Sequence, residues 1–143
     1  MIKKILVPLP VESAKNGASA TAIAKDIVTA QGAKIILLHV VEEIPPYGSV
    51  HLPADLRENA TTAARDYMQA AAKAHGIDDI TDIVVREGNP AGDALDFAND
   101  TGVDRIVISS HDPRFADYLL GSVAARVVRH AHCSVLVVRL RKG

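Results

Sequence analysis

Gly121 and Ser122 open a predicted helix that runs to His130, and the loop before it begins with Ser109, Ser110 and His111. A helix start offers unpaired backbone N–H groups and the positive end of the helix dipole, and Ser122 adds a hydroxyl. That combination suits a phosphate group. From Ser110 to the C-terminus six Lys or Arg face two Asp, a local charge of +4, which leaves −5 for the rest of a chain of net charge −1. The basic end is therefore the end expected to meet phosphate. The plainer alternative is a tight-turn glycine, an ordinary helix cap and a solvated basic face.

Other reactive side chains form weaker constellations. His130, His132 and Cys133 are types that bind zinc, but two histidines one residue apart at a helix end point in different directions, and no second ligand cluster follows. His130 instead suits the carboxyl end of the helix dipole, and Cys133 reads as a small buried residue. No metal site is expected. His111 titrates near neutrality but has no accompanying nucleophile or orienting acid, and Ser109, Ser110 and Ser122 lack a nucleophile-elbow context. No catalytic residue is assigned. Asp78, Asp79 and Asp82 read as a solvated turn, and Glu42 and Glu43 as the start of a solvated loop.

The elements that would position these residues follow from hydrophobic patterning. Continuous apolar runs mark strands at 3–9, 34–41, 80–87, 105–109 and 134–139, as buried parallel strands require. Helices are predicted over 14–31, with Ala20, Ile23, Ala24, Ile27 and Val28 inward, and from Asp55 to Gly76, with Leu56, Ala60, Ala63, Tyr67, Ala71 and Ala74 on one face. A third follows the Asn89-Pro90 cap, with Ala91, Ala94, Leu95 and Ala98 inward, and stops at Gly102. In the fourth, Ala124, Val127, Val128 and Ala131 face inward. Pro45, Pro46, Gly48 and Pro53 make 42–53 a long loop.

Strands alternating with four helices predict an α/β, doubly wound, flavodoxin-like single domain over residues 1–143. Its five-stranded parallel sheet has the order 3-2-1-4-5. Strands one and four are then neighbours where the winding reverses, and ligands bind beyond the carboxyl ends of the strands at such a point. The loops 8–13 and 110–120 flank that crevice.

Composition narrows the function. The net charge of −1 provides no general attraction to nucleic acid or anionic lipid. No unbroken apolar stretch exceeds four residues, as in Ile35 to Leu38, so neither a membrane span nor a signal sequence is expected. A single cysteine fits a reducing cytoplasm. After strand one the chain reads Pro8, Leu9, Pro10, Val11, without the clustered acids of a receiver domain or the glycines and Lys-Ser of a phosphate-binding P-loop.

The opening Ile5-Leu6-Val7-Pro8, the strand end Leu38-His39-Val40-Val41, the turn Glu87-Gly88-Asn89-Pro90-Ala91 and the segment from Ser109 to Arg139 resemble the universal stress protein family along nearly the whole chain. Many nucleotide-binding members carry G-x2-G-x9-G-[ST] after strand four. This chain has Ser109 and Asp112 at the first two glycine positions and is one residue shorter before Gly121. Ser110-His111-Asp112-Pro113 followed by Tyr118-Leu119-Leu120-Gly121-Ser122 is similar to the Ser-His-x-Pro loop of the F and G types of enterobacteria. The resemblance implies an adenine nucleotide, ATP with or without Mg²⁺, as a regulatory ligand. Pro8 and Val41 would flank adenine and Gly88 would approach the ribose. Ser109, His111, Gly121 and Ser122 would surround the phosphates, with Ser110 and Val123 completing the set. Pro10 falls where binders usually have an aspartate toward the nucleoside, and Asp112 would either repel phosphate or face Mg²⁺. A homodimer through the apolar edge strand Ser134 to Arg139 is implied as well. The competing reading is a nucleotide-free interaction module with a degenerate site; a hydrolase using His111 is the third.

Overall fold

The structure is a computed structural model that describes residues 2–9, 21–28, 32–42, 54–110 and 120–139. Five strands, β1 (Lys4–Pro8), β2 (Lys34–Glu42), β3 (Thr81–Gly88), β4 (Arg105–Ser109) and β5 (Ser134–Val138), form one sheet. Its order is β3-β2-β1-β4-β5 and every pairing is parallel, as the sequence predicts. Four helices accompany them: α1 (helical residues 21–28), α2 (Ala54–Ala74), α3 (Pro90–Thr101) and α4 (Ser122–His130).

The central strands are apolar over most of their length because both faces of the sheet are covered. Successive side chains of β1 alternate, so Ile5 and Val7 join Ala24 and Val28 of α1 and Met68 and Ala72 of α2 in one core. Leu6 points the other way, toward Ala91, Ala94, Phe97 and Ala98 of α3 and Ala124 and Val127 of α4. The outer strands β3 and β5 are only half-buried. No helix among the described residues is long and apolar enough to cross a membrane.

Two local readings need correction. In α2 the buried positions are Ala64, Met68 and Ala72, whereas Ala60, Ala63 and Ala74 are exposed and Tyr67 and Ala71 half-buried. The inward face is thus turned by about one residue, roughly 100° of helix rotation. Met68, fully buried, anchors it; alanines occupy both faces and do not distinguish them. In α4 Val128 is 44% exposed, because only Ala124 and Val127 reach the sheet. A short 3-10 helix, Asp78–Ile80, precedes β3, and Asp78, Asp79 and Asp82 are exposed as expected. Helix α3 has its predicted ends: the Asn89 side chain accepts from the Gly92 N–H at 2.9 Å, and Gly102 takes the left-handed conformation with φ 67°.

Candidate functional site

In a parallel sheet all carboxyl ends lie along one edge, so Pro8, Val41, Gly88, Ser109 and Ser110 are brought to the same side of the molecule. The crevice between β1 and β4 has a structural cause. The β1–β4 ladder pairs only Ile5 with Arg105 and Leu6 with Ile106, although β1 continues to Pro8 and β4 to Ser109. Over the same stretch β1 stays paired with β2 as far as Pro8↔Leu38. Pro8, whose nitrogen faces β4, has no N–H to continue that ladder, and it is between these two strands that the order of winding reverses.

One wall of that gap is built by α4 and the end of β4. Ser109 and Ser110 are buried, at 9% and 5% exposure. The Ser110 N–H donates to the Val138 carbonyl at 2.9 Å, and its own carbonyl accepts from the Gly121 N–H at 2.9 Å. This clip fixes the start of α4 against the end of β4. Gly121 is the buried N-cap, with φ −60° and ψ 157°, a conformation open to any residue. Its amide is therefore taken, which corrects the expectation that it is free for a phosphate. The donors left for an anion are the amides of the first turn, beginning with exposed Ser122 and half-buried Val123. No side chain caps this helix and no acid stands in its first turn.

The charge argument changes in detail. Arg126 lies in the middle of α4, and Arg129 and His130 lie in its last turn, where they complement the negative end of the dipole. Arg129 follows Ser122 by seven positions, about 10 Å along the helix axis. These cations do not converge on the helix start. Arg139, directly after β5, does stand at the carboxyl edge of the sheet.

The remaining candidates are distributed as follows. Pro8 ends β1 and is half-buried; Val41, also half-buried, lies one residue before the end of β2. Gly88 ends β3 with φ 147°, and a Cβ there would collide with Asp93 Oδ2. That carboxylate accepts from the Asn89 N–H at 2.7 Å, so a local cap of α3 already requires glycine at 88. Pro10, His111 and Asp112, with the loop 43–53, lie outside the described residues. Cys133 packs against the α3–α4 core, and burial pushes its thiol above the ordinary cysteine value. No group of three His, Cys, Asp or Glu able to hold a metal occurs among the described residues.

A second concavity, of about 430 Å³, lies between α2 and the amino end of β3, lined by Asp66, Gln69, Lys73, Asp78, Thr81 and Ile83. It is on the opposite edge from the crevice. Its wall is largely solvated side chains, and no buried polar group points to a ligand there. Sequence reasoning missed His39, whose Nδ1 lies 2.8 Å from the Leu9 carbonyl at the exit of β1. A lone polar residue inside the run Ile35 to Val41 was the available signal.

The geometry agrees with what the chain is similar to. The universal stress protein MJ0531 of Methanocaldococcus jannaschii is 31% identical over 99% of this chain and 85% of that protein. Universal stress protein G of Shigella flexneri is 32% identical over 97% of this chain and 100% of that protein. Among solved structures, the hypothetical protein MJ0577 superposes with a TM-score of 0.82 at 28% identity, over 100% of this chain and 99% of the other. A universal stress protein solved in complex with cAMP gives 0.69 at 24% identity, covering 96% of this chain and 97% of that one. One from Archaeoglobus fulgidus in complex with dAMP gives 0.67 at 22%, covering 97% and 100%; at these identities the two share the fold. With residues 1–139 matching the model of the universal stress protein family, the chain belongs to that family.

Proposed function

We propose that the chain, as one domain over residues 1–143, binds an adenine nucleotide in the crevice between β1 and β4 as a regulatory ligand. The observation that carries this reading is the start of α4, without a side-chain cap or an acid in its first turn, standing at the carboxyl edge of the sheet where the order of winding reverses. Phosphate oxygens would take the amides of Ser122 and Val123 and the Ser110 hydroxyl, with Ser109, Gly121 and His111 around them. Pro8 and Val41 would bound the base and Gly88 the ribose. The cAMP and dAMP complexes of fold relatives support the ligand class. ATP, accompanied by Mg²⁺, is the nucleotide proposed, and hydrolysis is at most slow.

The working state is proposed to be a cytoplasmic homodimer joined at β5. Support comes from the position of β5 at the sheet edge and from Leu136, 37% exposed. A nucleotide-free interaction module is favoured by one specific observation, the commitment of the Gly121 amide to Ser110. Isothermal titration of nucleotide-stripped protein with ATP and Mg²⁺, beside a Gly121→Asp variant, separates the two. Micromolar binding, about −8 kcal/mol, that the variant loses supports the nucleotide reading. No heat at millimolar ATP supports the interaction module.

A further inference from the structure

We propose that His39 is a positioning residue for the crevice, acting through the Leu9 carbonyl; the inference rests on the nucleotide reading above. The chain leaves β1 at Leu9, whose N–H still donates to the Leu38 carbonyl at 2.8 Å. The N–H and C=O of a strand residue face the same side, so the Leu9 carbonyl also faces β2, where the ladder has ended at Pro8↔Leu38 and no backbone N–H among the described residues takes it. Leu9 is 4% exposed, and a buried carbonyl requires a partner. The imidazole of His39 supplies it at 2.8 Å.

Two features make this contact more than a satisfied strand residue. A carbonyl oxygen can only accept, so Nδ1 of His39 carries the proton and the ring is held in one orientation. Leu9 is followed by Pro10, and the Leu9–Pro10 peptide has no N–H. Its carbonyl is the one polar group by which that planar unit can be held, so the His39 contact sets the plane of the Leu9 carbonyl at the exit of β1, one residue after Pro8. His39 is the only polar side chain between Ile35 and Val41, in a strand that otherwise contributes apolar residues to both cores.

The test compares wild type, His39→Ala and His39→Asn. Asparagine places an amide N–H where Nδ1 stands. ATP affinity is measured by titration calorimetry, and exchange of the Leu9 and Val7 amide protons by NMR. Loss of one hydrogen bond that orients the site is expected to weaken ATP binding about three- to tenfold in His39→Ala, with most of it recovered in His39→Asn. Exchange at Leu9 should accelerate in His39→Ala and return in His39→Asn, while Val7, inside the strand, stays protected. Unchanged ATP affinity in His39→Ala overturns the positioning role, whether or not Leu9 exchange moves. A wild-type protein that binds no ATP refutes the nucleotide reading instead; Leu9 exchange, which needs no ligand, then decides the clamp by itself, and unaltered exchange in His39→Ala removes it.

Discussion

Gly88→Ala separates a structural demand for glycine from a ligand's demand. Gly88 has φ 147°, a region that a residue with a Cβ occupies at a cost of about 1–3 kcal/mol. The added methyl group would also meet Asp93 Oδ2, which accepts from the Asn89 N–H at 2.7 Å, while the Asn89 side chain accepts from the Gly92 N–H at 2.9 Å. Displacing the carboxylate breaks one exposed hydrogen bond at the start of α3, worth about 1 kcal/mol. The total is about 2–4 kcal/mol, or roughly 6–16 °C in Tm for a chain of this size. Urea unfolding of wild type, Gly88→Ala, Asp93→Ala and the double variant measures it. In the Asp93→Ala background the obstruction is gone, so Gly88→Ala should cost about 1 kcal/mol less there. Equal cost in both backgrounds would refute the obstruction, and a cost under about 0.5 kcal/mol would refute the backbone argument. Only both results together would return Gly88 to being explained by a ligand alone.

Further outcomes follow from the packing and the titrating groups. Met68→Ala should lose about 2–5 kcal/mol in urea unfolding, whereas Ala63→Ser, on the exposed side of α2, should stay within about 0.5 kcal/mol; the reverse would restore the face read from sequence. Hydrogen bonds from the Lys3 and Lys4 amides, 2.8 and 3.0 Å, lower the Asp104 carboxyl below its ordinary value in the folded protein. Its stabilisation is present above the unfolded value and lost as pH falls through the lower folded one, so the gap between wild type and Asp104→Asn should close in acid; a gap independent of pH would contradict this. Burial raises the Cys133 thiol, so the native protein should react with a disulfide reagent at pH 7.5 more slowly than its urea-unfolded form, and equal rates would refute that assignment. Leu136→Lys should give a monomer in sedimentation velocity if the wild type is the proposed dimer, and an unaltered dimer would place the interface elsewhere.

Strand positions were legible because β1, β2 and β4 are buried on both faces and read as continuous apolar runs, and the spacing between them admits helical crossovers. The Asn89-Pro90 cap and the Gly102 stop were legible because each rests on one local requirement. The α2 face was not: its alanines carry little hydrophobic contrast, and only Met68 marked the core. Val128 was misread because a nine-residue helix beside an edge strand presents a narrow inward stripe. Around the site, the grouping of Ser110 with Gly121 came from the family resemblance. That their hydrogen bond consumes the Gly121 amide depends on the relative placement of β4 and α4, and no local pattern encodes it. The same holds for His39 and Leu9, thirty positions apart.

The central claim, a nucleotide at the carboxyl edge between β1 and β4, is tested most directly by an amide NMR titration with ATP and Mg²⁺. The account predicts saturable shifts at Ser109, Ser110 and Gly121 through Ala124, with smaller ones at Val41 and Gly88. Shifts confined to the opposite edge, around Asp66, Lys73 and Thr81, or none at millimolar ATP, would contradict it.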